Sequence, residues 1–246
     1  MEVLMYMTCA VMLACIGSFI GLCCDRLPKS EQIIRGKSWC DACGHPLKAS
    51  ELIPIFSFLV LRGRCRYCKA KIPPFCFGIE IATIAFGLGP LLVFGMTAQG
   101  IAYTAVTCIL IETAVVDYRT MEISDLLNVT IGIIGLILMF INGSYVSSLI
   151  GAVCVSLPFL VLALCKAMGM GDVKLMAAVG ILLGVKNVLL AAFFGVVVGS
   201  TVAMIMKLKE LRGWKSEIAF GPYLCVGIYA SMLFGQQCIE LYLSLF

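Results

Sequence analysis

The chain has 246 residues, of which 61% are hydrophobic and only 13% charged, with a formal net charge of +4. A water-soluble domain carries about 45–50% apolar and about 25% charged residues, so this composition excludes one and requires a polytopic membrane protein. The mild positive balance suits a basic loop facing anionic lipid, and no aromatic interleaving of the kind that suggests nucleic acid is seen, so no nucleic-acid partner is expected.

Apolar runs near the roughly 20 residues that span a bilayer lie at 3–23, 75–96, 99–117, 126–142, 145–166, 172–185, 187–206 and 220–243, the sixth being short. The predicted fold class is therefore an all-α polytopic membrane protein of about eight transmembrane helices. Its divisions are a first helix at 1–23, a polar insert at 24–74 and a membrane domain at 75–246. The first run has no basic n-region before it, exceeds a signal-peptide h-region, and is followed by Arg26 and Lys29, so it reads as a retained helix.

Ten of the 18 Lys and Arg residues fall between Arg26 and Lys71, which places the insert in the cytoplasm by the positive-inside rule. Counting spans from there, the turns at 117–125, 166–172 and 207–219 are also cytoplasmic. They carry Arg119, Lys166, Lys207, Lys209, Arg212 and Lys215. Lys186 alone falls on the outer side, with Lys174 just inside the start of its span. Asp117 and Asp172 then sit at the cytoplasmic ends of their helices.

The insert contains Cys40-Asp41-Ala42-Cys43 and Cys65-Arg66-Tyr67-Cys68. Two CxxC pairs supply four thiolates for one structural zinc ion, with Gly44 after the first pair and Arg62, Arg64, Arg66 and Lys69 helping to hold the thiols deprotonated. The alternative is two reduced or redox-active pairs, although a reducing compartment disfavours structural disulfides. About 50 residues make too small a core to stand alone, which gives a metal a physical motive. His45, the single histidine, reads as a loop residue. Cys9, Cys15, Cys108, Cys154, Cys225 and Cys238 lie alone in apolar spans, where cysteine packs as a small hydrophobe.

Seven carboxylates lie in or near apolar segments: Glu80, Glu112, Asp117, Glu122, Asp125, Asp172 and Glu240. Glu240 can snorkel to water, and Glu122 and Asp125 belong to a polar turn that caps the next helix. Glu80 and Glu112 need a partner or a wet cavity. Glu112 stands five residues before Asp117, about 140° round a helix, and should face elsewhere. Asp117 and Asp172 are the better pair, because both lie where helix meets cytoplasm and Asp172 follows Gly169-Met170-Gly171. Those glycines allow positive φ and close approach of a substrate strand. Two carboxyls at contact distance share one proton, so one activates water while the other polarises a scissile carbonyl. Transporters also place acids beside broken helices, and charge arithmetic alone does not choose between the two.

Together these motifs resemble the type IV prepilin peptidase family, within the GxGD class of membrane aspartyl proteases. The likeness runs through Gly17-Ser18-Phe19, Arg26-Leu27-Pro28, both CxxC pairs, Ile53-Pro54, Leu61-Arg62-Gly63-Arg64-Cys65 and Glu80. It continues at Val116-Asp117, Asp125, Gly169 to Leu175 with Lys174, and Phe220-Gly221-Pro222-Tyr223-Leu224. The resemblance implies that Asp117 and Asp172 are catalytic, with Gly169, Gly171, Asp125 and Lys174 in support, and that Cys40, Cys43, Cys65 and Cys68 hold zinc. It implies cleavage of the short basic leader of prepilins or pseudopilins at the cytoplasmic face of the bacterial inner membrane. It also implies methylation of the new N-terminus from S-adenosylmethionine, an activity associated with the 24–74 domain. The family commonly has proline where this chain has Ser124, and the stretch before Cys40 is short. No residues are assigned to the methyl donor; Gly63 and Glu80 are the nearest suggestions.

Two other readings stay open. One is a peptidase without methyltransferase activity, its insert docking the leader through acids such as Asp25, Glu31, Asp41 and Glu51. The other is a carrier with the aspartates as ion sites, although no second GxGD-like element occurs in the first half, where a repeat would place one.

Overall fold

The computed structural model describes residues 2–26, 38–40, 42–208 and 218–244. Leu27, Pro28, Lys29, Glu31, Asp41, Lys209, Arg212 and Lys215 lie outside the described residues. The fold is helical, and the described residues include two isolated bridges, Trp39 with Pro46 and Arg64 with Lys71, but no β-strand. The chain divides into two compact units, Met1–Leu92 and Val93–Phe246.

In the first unit, α1 (Glu2–Arg26) lies against α3 (Pro74–Phe94). Gly17 makes this possible: a methyl group there would stand 2.9 Å from the Glu80 Cα, and small residues are what let membrane helices approach so closely. The insert between them holds a short 3-10 turn, Ala49–Glu51, and α2 (Phe56–Val60). Phe58 of α2 stacks on Phe77 of α3, with ring centroids 4.6 Å apart. Glu80, 8% exposed, accepts a 2.7 Å hydrogen bond from the backbone N–H of Ile55. That bond finds a partner for a buried carboxylate and fixes Ile55, whose φ of 61° is unusual for a β-branched residue.

The second unit contains α4 (Ala98–Thr120), α5 (Asp125–Asn142), α6 (Tyr145–Cys154), α7 (Ser156–Leu164), α8 (Met170–Leu208) and α9 (Gly221–Leu243). Helices α6 and α7 follow one another through Val155 as one span. The apolar faces of α4, α5, α8 and α9 meet in a core that includes Val106, Leu110, Ile131, Leu175, Met176, Leu224 and Ile228. Leu126, Ile133 and Phe193 point outward and are exposed, as a lipid-facing surface requires.

Among the described residues, seven helices are long and apolar enough to cross a membrane, against the eight expected. The difference lies in α8, whose 39 residues take in the runs expected at 172–185 and 187–206. Gly184 interrupts it with φ 71° and ψ 178°, a conformation open essentially to glycine alone. The chain doubles back there. A side-chain atom on Gly199 would meet Phe220, and one on Gly235 would meet Asn187, so α9 runs antiparallel to the second arm. Gly221, at the start of α9, contacts Asp117, which lines one cavity with Asp172 at the start of the first arm. Both ends of α8 therefore lie at one end of the unit. A turn of one glycine, with no polar loop, joins the two runs into a single helical element.

Candidate active site and cysteine cluster

Asp117 lies in the last turn of α4, which ends when Met121 takes a left-handed conformation and its N–H bonds the Asp117 carbonyl at 2.8 Å. Asp172 lies in the first turn of α8. The side chains are 5% and 6% exposed, and both line one open cavity of about 810 Å³ between the α4–α5 turn, the α7–α8 turn and the start of α9. The structure brings together Asp117, Asp172, Gly169, Gly171, Asp125 and Lys174 around this cavity. Glu112, half-buried, is not among its lining residues, in keeping with the angle expected from helix geometry.

The glycines serve differently from the expectation. Neither Gly169 nor Gly171 has positive φ. A methyl group on Gly171 would stand 2.8 Å from the Ile123 Cβ, and one on Gly169 would stand 3.4 Å from the Asp172 Oδ2. The missing side chain of Gly171 lets the start of α8 close on Ile123 of the α4–α5 turn, whereas a methyl group on Gly169 would make only an ordinary contact with Asp172. Lys174 Nζ donates to both oxygens of Asp125, at 2.7 and 2.8 Å, tying the start of α8 to the start of α5. Ser124 sits at φ −65°, which is the angle a proline ring imposes, so its φ is one that a proline could adopt.

Gly221 was quoted above only as part of a motif, and its role was missed. Its N–H donates a 2.9 Å hydrogen bond to Asp117 Oδ2, and a Cβ there would stand 2.6 Å from that oxygen. The signal was present in Gly221-Pro222: proline at the head of a helix marks an N-terminus, whose first N–H groups lack helical partners.

In the first unit the sulfurs of Cys40, Cys43, Cys65 and Cys68 lie within 4.8 Å of one another. Each pair sits on a tight knuckle. Gly44 N–H bonds Cys40 O at 2.8 Å and Lys69 N–H bonds Cys65 O at 3.1 Å, with Gly44 and Lys69 both at positive φ. His45 stacks on Tyr67 at 3.6 Å and so links the knuckles without joining the sulfur cluster. Backbone N–H groups of Cys68 and Tyr67 draw the Cys65 thiol down to about 7. At Cys43 the N–H of His45 pulls the same way, but desolvation and the Cys68 and Cys40 sulfurs push that thiol up to about 11. Four thiols so placed can hold a metal ion, which relieves their crowding when they ionise together. Gly63, suggested for the methyl donor, has φ 65° and packs on Phe58, so its conformation alone accounts for it.

Residues 104–204 match the profile of the type IV leader peptidase family, and residues 11–94 match the bacterial peptidase A24 N-terminal domain. A prepilin leader peptidase/N-methyltransferase of Burkholderia pseudomallei is 30% identical over 86% of this chain and 71% of its own length. The chain belongs to the type IV leader peptidase family. Other members carry the same name: one from Bacillus subtilis is 29% identical over 94% of both chains, and one from Neisseria gonorrhoeae is 32% identical over 82% of this chain and 72% of its own. No solved structure matches. Membership gives the chain a chemistry, peptide hydrolysis, and the seven apolar helices a setting, a multi-pass membrane protein.

Proposed function

We propose that this enzyme removes the leader from prepilins or pseudopilins at the cytoplasmic face of the bacterial inner membrane, with Asp117 and Asp172 as its catalytic pair, and then N-methylates the new terminus. The observation that carries the peptidase reading is the convergence of two buried carboxylates on one open cavity. One carboxylate, ionised, takes a proton from water as it attacks the scissile carbonyl. The other, protonated, donates to the carbonyl oxygen. Collapse of the tetrahedral intermediate returns a proton to the leaving amine. The Gly221 N–H fixes one oxygen of Asp117, which leaves the other to face the reaction. The first arm of α8, residues 170–184, is about 22 Å long at helical rise. It falls short of the roughly 30 Å hydrocarbon layer, so the cavity at its base opens where a substrate helix emerging from the bilayer can present its leader junction.

In the first unit the resident ion is zinc. A tetrahedron of about 2.3 Å Zn–S bonds has sulfurs about 3.8 Å apart, and Cys40 Sγ and Cys68 Sγ stand 3.9 Å apart. Zinc there is structural and closes an insert with little apolar core. The methyl donor is S-adenosylmethionine. Among the described residues no strand-to-helix glycine turn offers it the usual cradle, and none of the residues named above is assigned to it.

Incubation of a model prepilin and S-adenosylmethionine with wild-type membranes should yield a leaderless product with an added methyl mass, while Asp172→Asn yields intact prepilin. Wild-type cleavage by an inserted Asp172→Asn protein overturns the catalytic pair. A leaderless product that never gains the methyl mass removes the second activity.

A further inference from the structure

Six buried side-chain polar atoms have no hydrogen-bonding partner among the described residues, and four of them lie on α4, α5 and the first arm of α8: Thr113 Oγ1, Asn128 Nδ2 and Oδ1, and Asp172 Oδ1. Thr113 is 1% exposed and Asn128 4%. Thr113 is unusual among the helical threonines. Thr83, Thr107, Thr120, Thr130 and Thr201 each turn the hydroxyl onto the carbonyl four residues back, whereas the Thr113 hydroxyl has no such bond. It lies one turn before Asp117 on the same buried stripe of α4.

Asn128 occupies the equivalent level on α5. Gly132 faces Ala178 and Gly135 faces Leu182, so α5 and the first arm of α8 run parallel. Carried back one turn, that register sets Asn128 at the level of Leu175, one turn inside Asp172. Asn128 also shares the buried stripe of Ile131, Gly135 and Leu138. Two helices thus each place a polar side chain one turn beneath the level of the carboxylates, and Asp172 Oδ1 is a third buried and unpartnered polar atom, one turn from that level.

An amide, a hydroxyl and a carboxyl left bare in a membrane interior each cost about 1–3 kcal/mol, whereas a buried water needs two to four polar partners. We infer that Thr113, Asn128 and Asp172 Oδ1 enclose a small polar chamber that takes ordered water, and that Thr113 and Asn128 are positioning residues which hold the Asp172 carboxyl through that water. An amide and a hydroxyl both donate and accept. Water held between them can therefore donate to Asp172 when it is ionised and accept from it when it is protonated, as a pair that exchanges one proton requires. The inference rests on the catalytic reading of Asp172.

The test is cleavage kinetics of a model prepilin by purified, folded Thr113→Val, Thr113→Ser, Asn128→Leu and Asn128→Ser, beside Asp172→Asn. Thr113→Val and Asn128→Leu keep shape and remove the polar atoms, and each should lower kcat roughly 10- to 100-fold with KM unchanged, the factor for a hydrogen bond to a charged group. Thr113→Ser keeps the hydroxyl and Asn128→Ser puts a hydroxyl in place of the amide, and each should return kcat to within a few-fold of wild type. If the apolar variants keep wild-type kcat, or the serine variants fall as far as they do, the inference is overturned. Should Asn128→Leu fail to fold, the Thr113→Val and Thr113→Ser pair decides alone. An active Asp172→Asn would overturn the catalytic reading, whereas an inactive Asp172→Asn beside fully active apolar variants would overturn only the chamber.

Discussion

The cysteine cluster and the carboxylate site are built by opposite means. In the cluster, each ligand pair sits three residues apart on its own knuckle, set by local backbone: positive φ at Gly44 and Lys69, and the flanking bridges Trp39 with Pro46 and Arg64 with Lys71. Only Cys65 of the four ligands is buried, so little packing is involved. In the carboxylate site, Asp117 and Asp172 come from different helices, and their setting depends on contacts made by Ile123, Gly171 and Gly221 from three separate turns. A site fixed by local geometry and a metal should survive damage to helix packing, and the packed site should survive loss of the metal.

The sharpest break in that comparison is Gly221→Ala. The added methyl would meet the Asp117 carboxylate at 2.6 Å, so either the carboxylate turns or the start of α9 shifts. A displacement of about 1 Å near the chemistry costs on the order of 100-fold in rate. Prepilin cleavage should fall by about that factor, while metal content per chain stays at the wild-type value. Cleavage within a few-fold of wild type would show that Asp117 does not depend on the α9 N-terminus.

This contrast also explains what the sequence made legible. The CxxC pairs were readable because a knuckle is a local object, and its spacing alone names its chemistry. The aspartates were readable through charge, since the count of Lys and Arg put Asp117 and Asp172 at one end of their helices before any contact was known. The doubling back at Gly184 was legible only as a break at Lys186 between two apolar runs, because one glycine makes the turn inside a continuous helical element. Gly169 and Gly171 were noticed partly for positive φ, which neither adopts; what the structure adds is the clearance of Gly171 from Ile123, and clearance depends on partners that a single chain read in order does not reveal. Thr113 and Asn128 were passed over for a related reason, since an uncharged polar residue in an apolar run becomes informative only once its neighbours are known to leave it bare.

Metal removal tests the other half. Chelation should strip about one ion per chain and leave the insert open to trypsin at Arg62, Arg64 and Arg66. Structural zinc supplies on the order of 10 kcal/mol in isolated small domains, and less is expected here because α1 and α3 hold both ends of the insert. Methyl transfer to the cleaved product should be lost with the ion, while cleavage persists within several-fold. Acidification should act in the same direction, since the ligands bind as thiolates and protons compete with the ion for the sulfurs as pH falls. Simultaneous loss of cleavage and methyl transfer would mean that the two sites are not independent.

The smallest effect expected is at Lys174 and Asp125, where the two kinds of construction meet in one contact: a single ion pair, local in its geometry, that joins the starts of α8 and α5. The bond is short and bidentate, at 2.7 and 2.8 Å, but the side chains are 49% and 67% exposed. Exposed pairs contribute about 0–1 kcal/mol and weaken as salt rises. Lys174→Met should therefore shift stability by less than about 1 kcal/mol, and a double-mutant cycle with Asp125→Asn should give a coupling of the same size. Helix packing at Gly132 and Gly135 already fixes the register of α5 on α8, so the pair is not needed to place Asp172, and cleavage should change only a few-fold. A loss approaching that of Gly221→Ala, insensitive to salt, would mean that the ion pair sets the approach of the substrate across the cavity that Lys174 and Asp125 both line.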